Sequence, residues 1–181
     1  MENIRKNTLF VPFLVTLIAS FIVVATFFLP LASANSEYKE HLEEYAQEVD
    51  IEKIGLSNED VVHLSMYDFG KLYWAIYGTI DEALGAIVVS FIAATGIMSL
   101  ITLLFALCKK PIAVIIFNIL TFIAYYMITW DFKDRGVMPN NRYDWGIAYY
   151  LYFIGIAVVF AGAIWMLVAK IQQKRRKLQE S

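Results

Sequence analysis

The sequence predicts an all-α membrane protein: a four-helix transmembrane bundle with a mostly helical extracytoplasmic segment between its first and second membrane helices. Three observations carry this. Ala83 to Cys108 holds no charged residue and lies between Asp81-Glu82 and Lys109-Lys110; about 20 apolar residues at 1.5 Å each cross the hydrocarbon of a bilayer, and a soluble core helix has no need of so long an uncharged run. Three further stretches repeat the pattern. The composition agrees, because a chain that is 59% hydrophobic and only 18% charged falls short of the roughly one-quarter charged residues of an ordinary soluble domain.

In chain order, residues 1–8 form a short N-terminus with Arg5 and Lys6, and residues 9–31 form the first membrane helix, closed by Pro30. Ala32-Ser33-Ala34 matches the small-residue pattern of a signal cleavage site, but the apolar stretch before it is longer than a signal's usual 7–15 residues, so an uncleaved helix is expected. Residues 32–82 turn polar and acidic. Asn35-Ser36-Glu37 reads as a helix start, and Tyr38, Leu42, Tyr45 and Val49 make one apolar stripe. Gly55-Leu56 breaks it, and Ser57-Asn58-Glu59-Asp60 is a capping box for a second helix, whose aromatics suit a membrane interface. Thr79-Ile80-Asp81-Glu82 reads as a further capping box.

The second membrane helix spans 83–108. A turn over 109–111, with Pro111 placed for a first helical turn, leads into the third at 112–130. So short a connection forces an antiparallel hairpin. A polar loop with turn formers occupies 131–144, the fourth membrane helix 145–169, and a basic tail 170–181. Basic residues set the orientation. Arg5, Lys6, Lys109, Lys110, Lys170, Lys174, Arg175, Arg176 and Lys177 gather at one set of ends. The other set has Lys39, Lys53, Lys71, Lys133, Arg135 and Arg142, spread over far more residues. Both termini are therefore expected in the cytoplasm of a plasma-membrane protein.

Groups able to carry chemistry are few. His41 with Glu44, and His63 with Glu59, have helical spacings that could hold a divalent metal, although neither matches a catalytic metal signature. Lys133, Asp134, Arg135, Arg142 and Asp144 suggest a loop docked on the outer helices. It would be held less by exposed ion pairs than by burial of Phe132, Val137, Met138, Tyr143 and Trp145. The single Cys108 excludes an intrachain disulfide and dithiol redox chemistry. No charged residue lies within the four apolar runs, which disfavours ion-coupled transport. Phosphate-binding loops and nucleophile elbows are missing, so neither an enzyme nor a cofactor is expected.

Two surfaces concern recognition. Phe69, Leu72, Trp74 and Tyr77 form an apolar outer face expected to pack on the bundle or meet a partner. Ala86, Ser90 and Ala94 form a small-residue row for helix packing, with Ser99 and Thr102 placed to hydrogen-bond Asn118 of the next helix, or else Thr16 or Ser20 of the first. The functional expectation is a non-enzymatic accessory, interaction or sensing protein presenting an acidic outer domain. An oligomeric channel or passive transporter is the alternative, and an outer-surface metal enzyme comes third. The expected partners are the lipid bilayer, another membrane protein or further copies of the chain, and anionic lipid at the basic tail, but not nucleic acid.

Overall fold

The computed structural model describes residues 2–46, 48–51, 55–76 and 82–179. Four helices are long and apolar enough to cross a membrane: α1 (Glu2–Thr26), α5 (Glu82–Leu107), α6 (Pro111–Asp134) and α7 (Ile147–Gln179). Between α1 and α5 lie β1 (Pro30–Ala34), α2 (Ser36–Glu44), β2 (Val49–Ile51), β3 (Leu56–Ser57), α3 (Asn58–Val61), β4 (His63–Ser65) and α4 (Met66–Ile76); β5 (Tyr143–Trp145) precedes α7. The long helices form a ring in which α1 packs on α5 and α7, and α6 on α5 and α7. Neighbours run antiparallel, as in an up-down-up-down bundle.

The most extensive contact joins α1 to α7, and glycine makes it close. A Cβ on Gly162 would lie 2.6 Å from Thr16 Oγ1 and 3.3 Å from its backbone nitrogen, and one on Gly155 would lie 2.7 Å from Val23 Cγ2. The two glycines are seven residues apart, as are Thr16 and Val23, so two turns of each antiparallel helix meet in step. The row Ala86, Ser90 and Ala94 does not provide this kind of contact: Ser90 is exposed, while α5 turns Val88, Ile92, Thr95, Ser99, Thr102 and Ala106 inward.

At the far end of the bundle from the strands, Lys109 adopts φ 54°. Its N–H donates to Ala106 O and that of Lys110 to Phe105 O, a left-handed C-terminal stop that satisfies the last carbonyls of α5. Pro111 then opens α6. The Lys109 ammonium lies 4.6 Å from the centre of the Phe13 ring, and Lys170 Nζ donates to Lys109 O, so α1 and α7 both hold this turn.

Several boundaries differ from the sequence reading: α1 begins at Glu2 rather than 9, and Trp145 belongs to β5, so α7 begins at Ile147 rather than 145. The first helix ends at Thr26 rather than 31, and Leu31 and Ala32 are buried in a strand. The third runs on to Asp134, and α7 continues without a break to Gln179, so the basic tail extends a membrane helix. The segment expected to be mostly helical also holds a three-stranded antiparallel sheet, ordered β4-β1-β5, and a two-stranded one, β2-β3. These strands, α2, α3 and α4 form a cap on one end of the bundle. Two of its strands connect to membrane helices: the central strand β1 follows α1 after a three-residue turn, and the edge strand β5 leads through Gly146 into α7. At the join Gly146 N–H donates to Leu31 O at 2.7 Å, and a Cβ on Gly146 would stand 2.2 Å from Pro30 O.

Candidate functional site

The cap is built outward from β1. Its register sets Ala32 opposite Leu64 and Trp145, and Ser33 opposite His63 and Asp144. The first row turns to the core and the second to the surface, as alternation in a half-buried strand requires. Asn35 Oδ1 accepts from Tyr38 N–H at 2.9 Å, capping α2, while its Nδ2 donates to Asn141 O at 2.8 Å. One side chain thus starts a helix and ties it to the loop after α6. Leu42 is the buried side of α2; Glu37, Glu40, His41, Glu43 and Glu44 are exposed.

Burial holds the loop of residues 135–142, as expected. Phe132 and Met138 are fully buried; Tyr143 Oη donates to Val61 O at 2.8 Å, and its ring meets Tyr38 edge-on. The ion pairs among the described residues are all local to one helix: Lys39–Glu43, Lys71–Asp68 and Arg135–Asp131. Arg135 also donates to Tyr73 Oη at 3.4 Å, which links the end of α6 to α4.

Two capping boxes organise the rest. Asp60 accepts from the Ser57 amide and hydroxyl, and those bonds hold its carboxyl below the usual carboxylate range. Ser65 and Asp68 repeat the arrangement at the start of α4. Burial pushes the Asp68 carboxyl up, but the Ser65 donors and the Lys71 ammonium outweigh it, so its net displacement is downward. A carboxyl whose folded-state pKa lies below its unfolded value stabilises the fold above that unfolded value, near 4. That stability disappears as the pH falls through the lowered folded values. The cap is therefore expected to loosen in acid, with amide exchange in α3 and α4 accelerating below about pH 4. Asp60→Asn with Asp68→Asn should flatten the response.

The metal candidates are not brought together. His63 lies on β4 rather than on a helix with Glu59, because α3 ends after one turn. Its Nδ1 sits 3.2 Å from Ser33 Oγ. His41 packs its ring against Tyr38 and Tyr45, with Glu44 exposed beside it. Among the described residues, no group of three or more His, Cys, Asp and Glu side chains is placed to hold a metal. The apolar outer face is divided. Phe69 is buried with its ring 5.0 Å from that of Phe132, Leu72 is half-buried, and Trp74 is 72% exposed. Tyr77 lies outside the described residues, as do Thr79, Ile80 and Asp81 of the box expected over 79–82.

Inside the bundle, Thr16, Ser20, Thr95, Ser99, Thr102 and Thr121 are all buried, and each hydroxyl donates to a carbonyl three or four residues earlier in its own helix. This local bonding removes the cost of an unpaired hydroxyl in a lipid-embedded core. It also leaves Asn118 without the expected partners. Asn118 Nδ2 donates instead to Ile156 O of α7 at 3.0 Å, and Tyr125 Oη to Tyr149 O at 3.1 Å. Among the described residues, the α6–α7 seam therefore carries the side-chain hydrogen bonds between the long helices. Asn118 Oδ1 and Tyr152 Oη are buried without partners.

Asn118→Leu is expected to change stability by less than about 1 kcal/mol in a detergent melt. Bonds of this kind average about 0.6 kcal/mol in membrane proteins, Ile156 O keeps its helical partner, and an unpaired oxygen is removed. A loss above about 2 kcal/mol would show a clasp stronger than this geometry provides.

Comparison of the chain with family models, with curated proteins and with solved structures found no match in any of the three.

Proposed function

We propose that this chain is a non-enzymatic multi-pass protein of the plasma membrane, an accessory or interaction subunit whose cap stands outside the cell and meets a partner. The observation that carries the reading is the mounting of α2. Its acidic side is exposed, while Asn35, Tyr38 and Leu42 lock it to β1, to the Asn141 backbone and to Tyr143. A charged surface held by a scaffold suits recognition, since preorganisation lowers the ordering cost of binding. The channel alternative gains nothing from one copy, because Val88, Val114, Tyr125, Tyr152, Val159 and Met166 are fully buried within the bundle.

The basic residues support cytoplasmic termini. At 33 residues α7 is about 50 Å long against roughly 30 Å of hydrocarbon. Lys174, Arg175, Arg176 and Lys177 thus project, exposed, where anionic lipid would attract them.

Purification of the full chain in mild detergent, with mass spectrometry of co-purifying proteins, tests the reading. A stoichiometric foreign protein is expected, released by Glu40→Lys with Glu43→Lys and Glu44→Lys. A homo-oligomer without such a protein that conducts ions in planar bilayers overturns it in favour of a channel. Orientation is read separately from Gln179→Cys in a Cys108→Ser background: an impermeant thiol reagent should leave it unlabelled in intact cells.

A further inference from the structure

A groove of about 580 Å³ opens between α4 and α5 beside the end of α1. Its walls are Phe27, Val89 and Ala93 among other apolar side chains, and Tyr67, Lys71 and Trp74 stand at its edge. The candidate membrane span of α5 begins at Gly85. Val89 and Ala93 are one and two turns farther along, about 6 and 12 Å, within the stretch apolar enough to lie in hydrocarbon. The edge is different. Among the described residues Lys71 is the one charged side chain lining the groove; its Nζ lies 2.9 Å from Asp68 Oδ1 and 5.0 Å from the centre of the Tyr67 ring. An ammonium has three donors, and the pair with Asp68 occupies one while fixing the direction of the others. Trp74 and Tyr67 are exposed, amphipathic rings of the kind that settle at headgroup level.

Apolar depth beneath a fixed cation and two interfacial rings matches one chemistry. We propose that the groove is a phospholipid site: an acyl chain lies along α5 between α4 and the end of α1, and the headgroup phosphate accepts from Lys71. Walls from α4, α5 and the turn after α1, with Lys71 among them, distinguish it from the smaller groove of about 270 Å³ between α6 and α7, which has no charged side chain among its described lining residues. The headgroup preference is for phosphate rather than net charge, since Asp68 already neutralises Lys71. This inference is independent of the cap's protein partner.

The test measures phospholipid phosphate per chain, with native mass spectrometry, on the full-length protein after extensive washing in mild detergent. Wild type is expected to keep a stoichiometric phospholipid. Ala93→Trp, which fills the groove from its lipid-facing side, should lose it, and Lys71→Gln should retain it roughly tenfold less well. Ile116→Trp, on the exposed side of α6, should retain it like wild type. Melting temperatures establish that the variants are folded; if Ala93→Trp is not, the Lys71→Gln result decides. Wild type free of phospholipid, equal retention by Lys71→Gln, or release of a bound protein rather than lipid by Ala93→Trp each overturns the proposal.

Discussion

Gly146→Ala is expected to cost about 3 kcal/mol or more, because its added carbon would make the closest approach among the described glycines. The new carbon would lie 2.2 Å from Pro30 O and 2.8 Å from Pro30 C. Both are backbone atoms, so no side-chain rotation relieves the overlap. The chain must instead move β5 away from β1, giving up the bond from Gly146 N–H to Leu31 O and the register of Ala32 with Trp145. Detergent melting should show the loss, and limited proteolysis should cut the cap while leaving α5 to α7 protected. An unchanged melt with an intact cap would mean that β1 and α7 do not meet as described.

Gly162→Ala should destabilise the α1–α7 pair by about 1–3 kcal/mol. Its added carbon meets Thr16 Oγ1 at 2.6 Å, with the Thr16 nitrogen and Cα at 3.3 and 3.4 Å behind it. Thr16→Ala in the same chain removes the first obstacle but not the other two, so only part of the stability should return. The resulting coupling in a double-mutant cycle should exceed about 0.5 kcal/mol. Gly155→Ala is the milder change, because it meets only the Val23 side chain. A cycle with no coupling between positions 16 and 162 would refute the close approach of the helices.

The membrane helices were legible because an uncharged run of this length has one physical explanation. Their ends were less so. Residues 9–31 read as one apolar stretch, and composition cannot distinguish the last turn of a membrane helix from a buried strand such as Leu31-Ala32. The sheet was hidden because its strands have three to five residues and partners roughly 30 and 110 residues away, so no local alternation declares them. The capping box at Ser57 was correctly located, but the helix it starts lasts one turn. The signal for that was present: Ser65 and Asp68 repeat the box eight residues later, which leaves no room for a continuous helix. The close packing of α1 on α7 was overlooked because glycines seven apart, rather than small residues four apart, make it. The expected partner of Asn118 failed for a similar reason. Matching depths along the α5–α6 hairpin ignored the fact that α6 also faces α7.

The place of β1 at the centre of its sheet fixes an order of assembly. As the chain is synthesised from its N-terminus, β1 can pair with β4 about 30 residues later, but its other edge must wait for Tyr143–Trp145. About 110 residues separate the two, which at 5–20 residues per second is roughly 6 to 20 s. During that interval the cap has an open strand edge and no Tyr143 against Tyr38 of α2, and α1 lacks α7, its principal neighbour. The emergence of β5 and α7 therefore closes the sheet and the α1–α7 contact in one event, so the cap cannot mature before α7 has joined the bundle.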